Sequence, residues 1–244
     1  MAIRTGTAGW SIPRASADAF PPAGSHLERY AGRFVAVEIN SSFHRPHRKT
    51  TYQRWADSTP NDFAFSVKVP KSITHEKLLR DCHHELATFL DEVTGLGTKL
   101  RVLLVQLPPR LAWDERVAQD FFANLRDSRR ARVVCEPRHA SWFASEPTQQ
   151  LANLGIGRVA ADPSPFPAAA APGGDPATTN FRWHGSPTIY RSSYDPPALA
   201  ALAERLLASA KRSDDVWCIF DNTALGAATA NALELQRLLS IASA

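Results

Sequence analysis

The sequence predicts an α/β fold: a single (β/α)₈ barrel of the TIM type over residues 1–244, with the sixth helix replaced by a Pro/Ala/Gly-rich loop. Three observations predict it. Eight short apolar runs alternate with longer amphipathic stretches, the pattern of strands and the helices that cover them. Several runs are nearly unbroken, as in Val102-Leu103-Leu104-Val105, which suits parallel strands buried on both faces. No G-x-G-x-x-G follows the first run, where an open nucleotide-binding sheet often carries it; Gly6-Thr7-Ala8-Gly9 is not that pattern. The length of 244 residues matches the roughly 250 that one such barrel uses.

The strands are expected at Ile3–Gly9, Ala36–Asn40, Phe63–Val69, Arg101–Leu107, Arg132–Glu136, Gly157–Asp162, Phe181–His184 and Val216–Asn222. Helices are expected after them. His26–Gly32 follows the first and Lys49–Ala56 the second. Glu76–Val93 follows the third, with Leu78, Leu79, Leu86, Phe89, Leu90 and Val93 at helical spacing. Arg116–Arg126, Thr148–Leu154, Pro197–Ala210 and Ala227–Ile241 follow strands four, five, seven and eight. Pro147 and Pro197 suit first-turn positions. After strand six, Pro163 to Thr179 is dense in Pro, Ala and Gly, which disfavours a regular helix and predicts a surface loop.

Bulk properties exclude several classes. The net charge of +4 with a pI near 9.1 is only mildly basic, and no Lys/Arg run marks a nucleic-acid tail. Cys82, Cys135 and Cys218 are far apart and form no C-x-x-C pair, which argues against a disulfide framework or a thiolate zinc site. No stretch reaches the roughly 18 apolar residues of a membrane span, and the first ten residues lack the apolar core of a signal peptide. The expectation is a cytoplasmic protein without a membrane partner.

What ends each strand is more informative. The proposed strands two to eight end on, or lead into, polar residues. In order these are Glu38 and Asn40; Lys68; Gln106; Glu136, followed by Arg138; Asp162; Arg182 and His184; and Asp221 with Asn222. A strand buried on both faces should be apolar, and in this fold the C-terminal strand ends and the loops after them hold the active site. Glu38 and Asn40 share a face, as do Arg182 and His184. Four carboxylates there (Glu38, Glu136, Asp162, Asp221) meet three cations (Lys68, Arg138, Arg182), so mutual pairing into a plug is the competing account. Burying that many charges for structure alone is a poor source of stability.

Aromatic residues lie near these ends. Trp10 and Trp142 are candidates for stacking on a sugar or base, while Phe143 reads as packing. Two small-residue turns follow strands seven and eight, at His184-Gly185-Ser186-Pro187 and Asn222-Thr223-Ala224-Leu225-Gly226. Barrels often bind phosphate with those loops, which makes Gly185 and Gly226 candidate anion contacts beside Arg182.

Several strings also resemble a known family. They are Gly6-Thr7-Ala8-Gly9-Trp10, Glu38-Ile39-Asn40-Ser41-Ser42-Phe43, Phe65-Ser66-Val67-Lys68, Ile73-Thr74-His75, Gln106-Leu107-Pro108-Pro109, Glu136-Pro137-Arg138-His139-Ala140-Ser141-Trp142, Arg182-Trp183-His184-Gly185 and Phe220-Asp221-Asn222. The chain resembles the YecE-like family, domain of unknown function 72, along almost its whole length. The resemblance implies a TIM-type barrel and carries no settled activity. The family usually has Tyr in place of His44 and an Asn pair in place of Asp221-Asn222.

The functional expectation is a hydrolase or lyase acting on a phosphorylated sugar or nucleotide-like ligand at the C-terminal mouth. Glu136 and Asp162 are the acid and base candidates and His184 the proton carrier. Lys68, Arg138 and Arg182 would hold an anion. Trp10, Glu38, Asn40, Gln106, Trp142, Gly185, Asp221, Asn222 and Gly226 complete the candidate binding set. No cofactor motif is present, and no metal is expected. Two alternatives stay open: a metal-dependent phosphoesterase or nuclease using Glu136, Asp162, His184 and Asp221, and a non-catalytic protein binding a ligand or nucleic acid.

Overall fold

In the computed structural model, described for residues 2–126 and 131–242, the apolar runs form a ring of parallel strands. These are β1 (Ala2–Thr7), β2 (Ala36–Ile39), β3 (Ala64–Lys68), β4 (Leu100–Gln106), β5 (Arg132–Glu136), β6 (Ile156–Arg158), β7 (Ala160–Asp162), β9 (Thr178–Trp183) and β10 (Asp215–Phe220), with a two-residue β8 (Gly173–Gly174) between β7 and β9. One ladder runs β2-β3-β4-β5-β6 and another β1-β10-β9-β7, every pair parallel. The fold is a TIM-type barrel.

The two ladders meet at two seams. At the first, the expected sixth strand is broken at Val159, whose N–H donates to the Cys135 carbonyl at 2.8 Å. The half before the break pairs with β5 and the half after it with β9. At the second, between β1 and β2, the Tyr30 hydroxyl replaces a rung. It accepts from the Thr7 N–H at 2.9 Å and donates to the Ala36 carbonyl at 3.2 Å. Two residues on, Gly9 N–H donates to the Glu38 carbonyl at 2.8 Å. Gly6 is required at this seam, because a Cβ there would lie 2.2 Å from the Ala36 oxygen.

The helices are α1 (His26–Ala31), α2 (Lys49–Asp57), α3 (His83–Val93), α4 (Glu115–Arg126), α5 (Ser145–Asn153), α6 (Pro196–Ala210) and α7 (Ala227–Ala242). Ser25 and Glu28 form a capping box on α1. Asp195 caps α6 by accepting from Ala198 N–H, ahead of a Pro at the first turn. The expected helix from Glu76 begins only at His83. A single π-turn at Ser72–Glu76 comes first, and Leu78, Leu79 and Asp81 take positive φ angles. The leucine spacing there is met by a tight turn that buries Leu79. In place of a sixth helix lie a 3₁₀ turn at Pro167–Ala170 and β8, which pairs antiparallel with β6. Among the described residues no helix is long and apolar enough to cross a membrane.

Two apolar layers follow from strand alternation. Ala36, Ala64, Val102, Leu104, Val134, Val159, Trp217 and Ile219 pack inside the barrel. Val37, Phe65, Leu103, Val105, Val133 and Cys218 face the helices. Stepping two residues along the inner face from Ala36, Leu104, Val134 and Ile219 reaches Glu38, Gln106, Glu136 and Asp221. The same alternation takes Ala64 through Ser66 to Lys68. The polar strand ends are therefore the uppermost layer of the barrel interior.

Candidate active site

Arg182 organises this layer. Its side chain, from the C-terminal half of β9, is fully buried. Nε and Nη2 grip Glu38 in a bidentate pair at 3.0 and 2.7 Å. Nη2 also donates to Asp221 at 3.1 Å, and Nη1 donates to Glu136 and, at 3.3 Å, to Gln106. His184, two residues on and on the same face, lies between the outer carboxylates. Nε2 is 2.9 Å from Glu136 and Nδ1 is 3.0 Å from Asp221. Arg138, on the loop after β5, donates to Glu136 and stands 2.9 Å from His184 Nε2. His184 Nε2 thus faces both the Arg138 guanidinium and the Glu136 carboxylate.

The carboxylates differ electrostatically. Burial would raise Glu136, but Arg138 and Arg182 outweigh it and hold the group well below the usual carboxylate range. Burial likewise opposes ionisation of Asp221, and Arg182 and His184 overcome it, so it too is lowered. For Glu38 burial prevails over Arg182, with Asp221 adding repulsion, and the carboxyl is raised.

Lys68 stands apart. Its residue is 5% exposed, yet among the described residues its ammonium makes no hydrogen bond or ion pair and rests over the Phe43 ring, 4.1 Å from the centroid. Burial, helped by Arg182 and opposed by Glu38, Asp221 and Glu136, lowers the amine to about 8. The Phe43 ring also meets His75 at 4.9 Å. Burial and then Lys68 lower His75 to about 4, which leaves it uncharged at neutral pH. His75 was missed as a functional candidate; its signal was its place in the loop after β3. Tyr190, with φ of 67°, sets its half-exposed ring over this mouth, 6.1 Å from His184.

The structure thus brings Glu38, Gln106, Glu136, Arg138, Arg182, His184 and Asp221 together. Asn40 joins at their edge, its Nδ2 3.5 Å from Asp221. Other expected members lie elsewhere. The Asp162 carboxylate, beyond the break in the sixth strand, accepts from the Tyr194 hydroxyl at 2.8 Å and makes no contact with the Arg182 network. Trp142 is buried and gives its indole N–H to the Leu111 carbonyl at 2.9 Å, which leaves it no face for a ligand. Trp10 is half-buried against Trp55, with centroids 5.1 Å apart. Asn222 donates to the Ser192 carbonyl and to Asn231, at 2.9 and 2.8 Å, and so ties the turn before α7. The anion expected at the two glycine turns finds neither N–H free. Gly185 N–H donates to Tyr194 and Gly226 N–H to the Thr223 carbonyl. Arg182, its companion in that expectation, spends every nitrogen on the protein. Among the described residues no group of three His, Cys, Asp or Glu converges as a metal site.

Fold and mouth together define a TIM-type barrel protein with an ionic cluster at the C-terminal ends of its strands. The model "Protein of unknown function DUF72" matches residues 4–244, and the chain belongs to the DUF72 family. It is 30% identical over 148 residues to UPF0759 protein YecE of Escherichia coli K12, covering 59% of this chain and 54% of that one; the match thus spans about half the length of that curated relative. Among solved structures, a DUF72 family protein of Enterococcus faecalis V583 superimposes with a TM-score of 0.84 at 21% identity, covering 98% of this chain and 96% of that one. One from Thermotoga maritima MSB8 gives 0.78 at 25%, covering 98% and 99%. A D-psicose 3-epimerase of Clostridium cellulolyticum H10, solved with D-tagatose, gives 0.50 at 8% identity, covering 98% of this chain and 96% of that one, a likeness of fold alone.

Proposed function

We propose that the chain is an enzyme, a hydrolase or lyase, that takes a small phosphorylated or otherwise anionic polyhydroxylated ligand at the barrel mouth. One observation carries this reading: the mouth holds buried polar atoms of both kinds without a protein partner among the described residues. Arg138 Nε is a buried spare donor and Asn40 Oδ1 a buried spare acceptor, while Lys68 Nζ, without a hydrogen bond among the described residues, rests on the Phe43 ring. Unpaired buried polar groups are costly in a purely structural cluster; a ligand with an anionic group and hydroxyls satisfies both kinds. Arg138 takes the anion, since Arg182 is fully engaged. His184 transfers the proton, with Glu136 and Asp221 fixing its ring. Three buried, unpaired cysteines support a reducing, cytoplasmic setting.

Calorimetric titration with inorganic phosphate, a hexose phosphate and a nucleoside monophosphate tests the binding half. Loss of one charge-assisted contact costs about 1.5–3 kcal/mol, so Arg138→Ala should weaken whichever ligand binds by at least about tenfold. Turnover of that ligand should stop in His184→Gln while binding persists. Absence of binding by all three to the wild type defeats the reading.

A further inference from the structure

Two lysines of this chain are held among other groups near strand ends, and they are held in opposite ways. Lys99 gives its ammonium to the carbonyls of Ala56 and Thr59, at 2.5 and 2.7 Å, and to Thr59 Oγ1 at 3.2 Å. It is a satisfied structural amine. Lys68 has no such acceptor, although three carboxylates share its layer. Arg182, Arg138 and His184 engage all three, so the ion-pair network is complete without Lys68. The amine instead sits on an aromatic face, at the inner end of a barrel strand, where a charged amine is poorly solvated and a neutral one is at little disadvantage.

We propose that Lys68 is a nucleophilic amine that forms an imine with a carbonyl-bearing ligand in the barrel mouth. This rests on the reading of the mouth as a ligand site and narrows it to lyase-type chemistry on an aldehyde or ketone. The geometry supplies what such a lysine needs: no carboxylate holds the nitrogen, Phe43 limits its solvation, and Arg138 lies at the same mouth for the ligand's anionic end. The step balances without an outside reagent. The Nζ lone pair attacks the carbonyl carbon, the C=O π pair moves to oxygen, and that oxygen leaves as water with two protons from the original ammonium. An ammonium and a carbonyl become a protonated imine and water. His75, packed on the same Phe43 ring and uncharged at neutral pH, adds no charge beside the nitrogen.

Borohydride trapping tests this on the intact protein, with glyceraldehyde 3-phosphate and pyridoxal 5′-phosphate as probes and peptide mapping by mass spectrometry. At limiting probe, Lys68 should be reductively alkylated at least about tenfold faster than Lys49, Lys71, Lys77, Lys99 or Lys211. Its labelling should rise with pH to half-maximum near about 8, the value that burial and Arg182 set against the opposing pull of Glu38, Asp221 and Glu136. Lys68→Arg should abolish labelling of that peptide and leave the others unchanged. Lys68 labelled no faster than the surface lysines overturns the proposal, whether or not the mouth binds ligand. A companion titration with glycerol 3-phosphate, which has no carbonyl, separates the two ideas. Binding without trapping defeats the imine and leaves the ligand site standing; neither binding nor trapping defeats both.

Discussion

Replacing Lys68 by methionine should make the protein more stable, not less. The side chain is largely buried, its ammonium partnered among the described residues only by the Phe43 ring at 4.1 Å, and burial above all lowers the amine from 10.5 to about 8. At about 1.36 kcal/mol per tenfold change, the fold disfavours the charged form by about 3 kcal/mol. Methionine keeps an unbranched apolar stem of similar length, and loss of the ammonium–ring contact returns about 0.5–2 kcal/mol. The expected net gain is about 1–3 kcal/mol at neutral pH. The sign with pH is fixed. A group whose folded value is depressed contributes stability fully present above its unfolded value and lost as pH falls through its folded value. The wild type should therefore gain on Lys68→Met between about pH 8 and about pH 10.5, and the advantage of the variant should shrink across that window. Urea unfolding followed by circular dichroism at several pH values measures both. A variant less stable than wild type at neutral pH, or a difference that ignores pH, refutes the reasoning and makes Lys68 a structural counter-ion to the carboxylates.

Arg182→Met should cost at least about 3–5 kcal/mol, because it strands buried carboxylates without their main partner; a loss below about 1 kcal/mol in urea unfolding contradicts the network described. Tyr30→Phe should cost about 1–3 kcal/mol by leaving Thr7 N–H and the Ala36 carbonyl unpaired at the β1–β2 seam. An unchanged denaturation midpoint would show that the two strands pair without the hydroxyl. Glu136 and Asp221 are both held below their ordinary values of 4.5 and 3.8, so the stability they confer is complete above about pH 5 and is lost as pH falls through their lower folded values. Melting curves of wild type and Glu136→Gln should converge on acidification, and parallel curves would argue against the depression.

The inner layer of the site was legible because strand alternation is a local property. Once β2, β4, β5 and β10 are placed, Glu38, Gln106, Glu136 and Asp221 must face inward at the top. The partners were not legible, since they join residues remote in sequence: Glu38 and Arg182 are 144 positions apart. The same limit displaced Asp162. The sixth strand breaks at Val159, and its second half aligns with β9 next to Tyr194, a contact set by three-dimensional register. Trp142 read as a rim aromatic because its string surrounds Arg138, but a 3₁₀ turn at Ala140–Phe143 rolls it into the core. The glycine turns read as anion cradles because small residues permit them; their N–H groups went instead to Tyr194 and Thr223. That Lys68 lacks a partner is the least legible fact of all, since it depends on where every neighbouring charge is spent.

The central claim is that the barrel mouth is a ligand site whose spare polar groups await an anionic, hydroxylated molecule, and not a closed ion-pair plug. Crystals soaked in turn with inorganic phosphate, a hexose phosphate and a nucleoside monophosphate test it most directly. The account predicts density for an anion on Arg138, with a ligand hydroxyl on Asn40 Oδ1, while Arg182 keeps its grip on Glu38. A mouth without ligand density in all three soaks, with Lys68 and Arg138 unmoved, would contradict it.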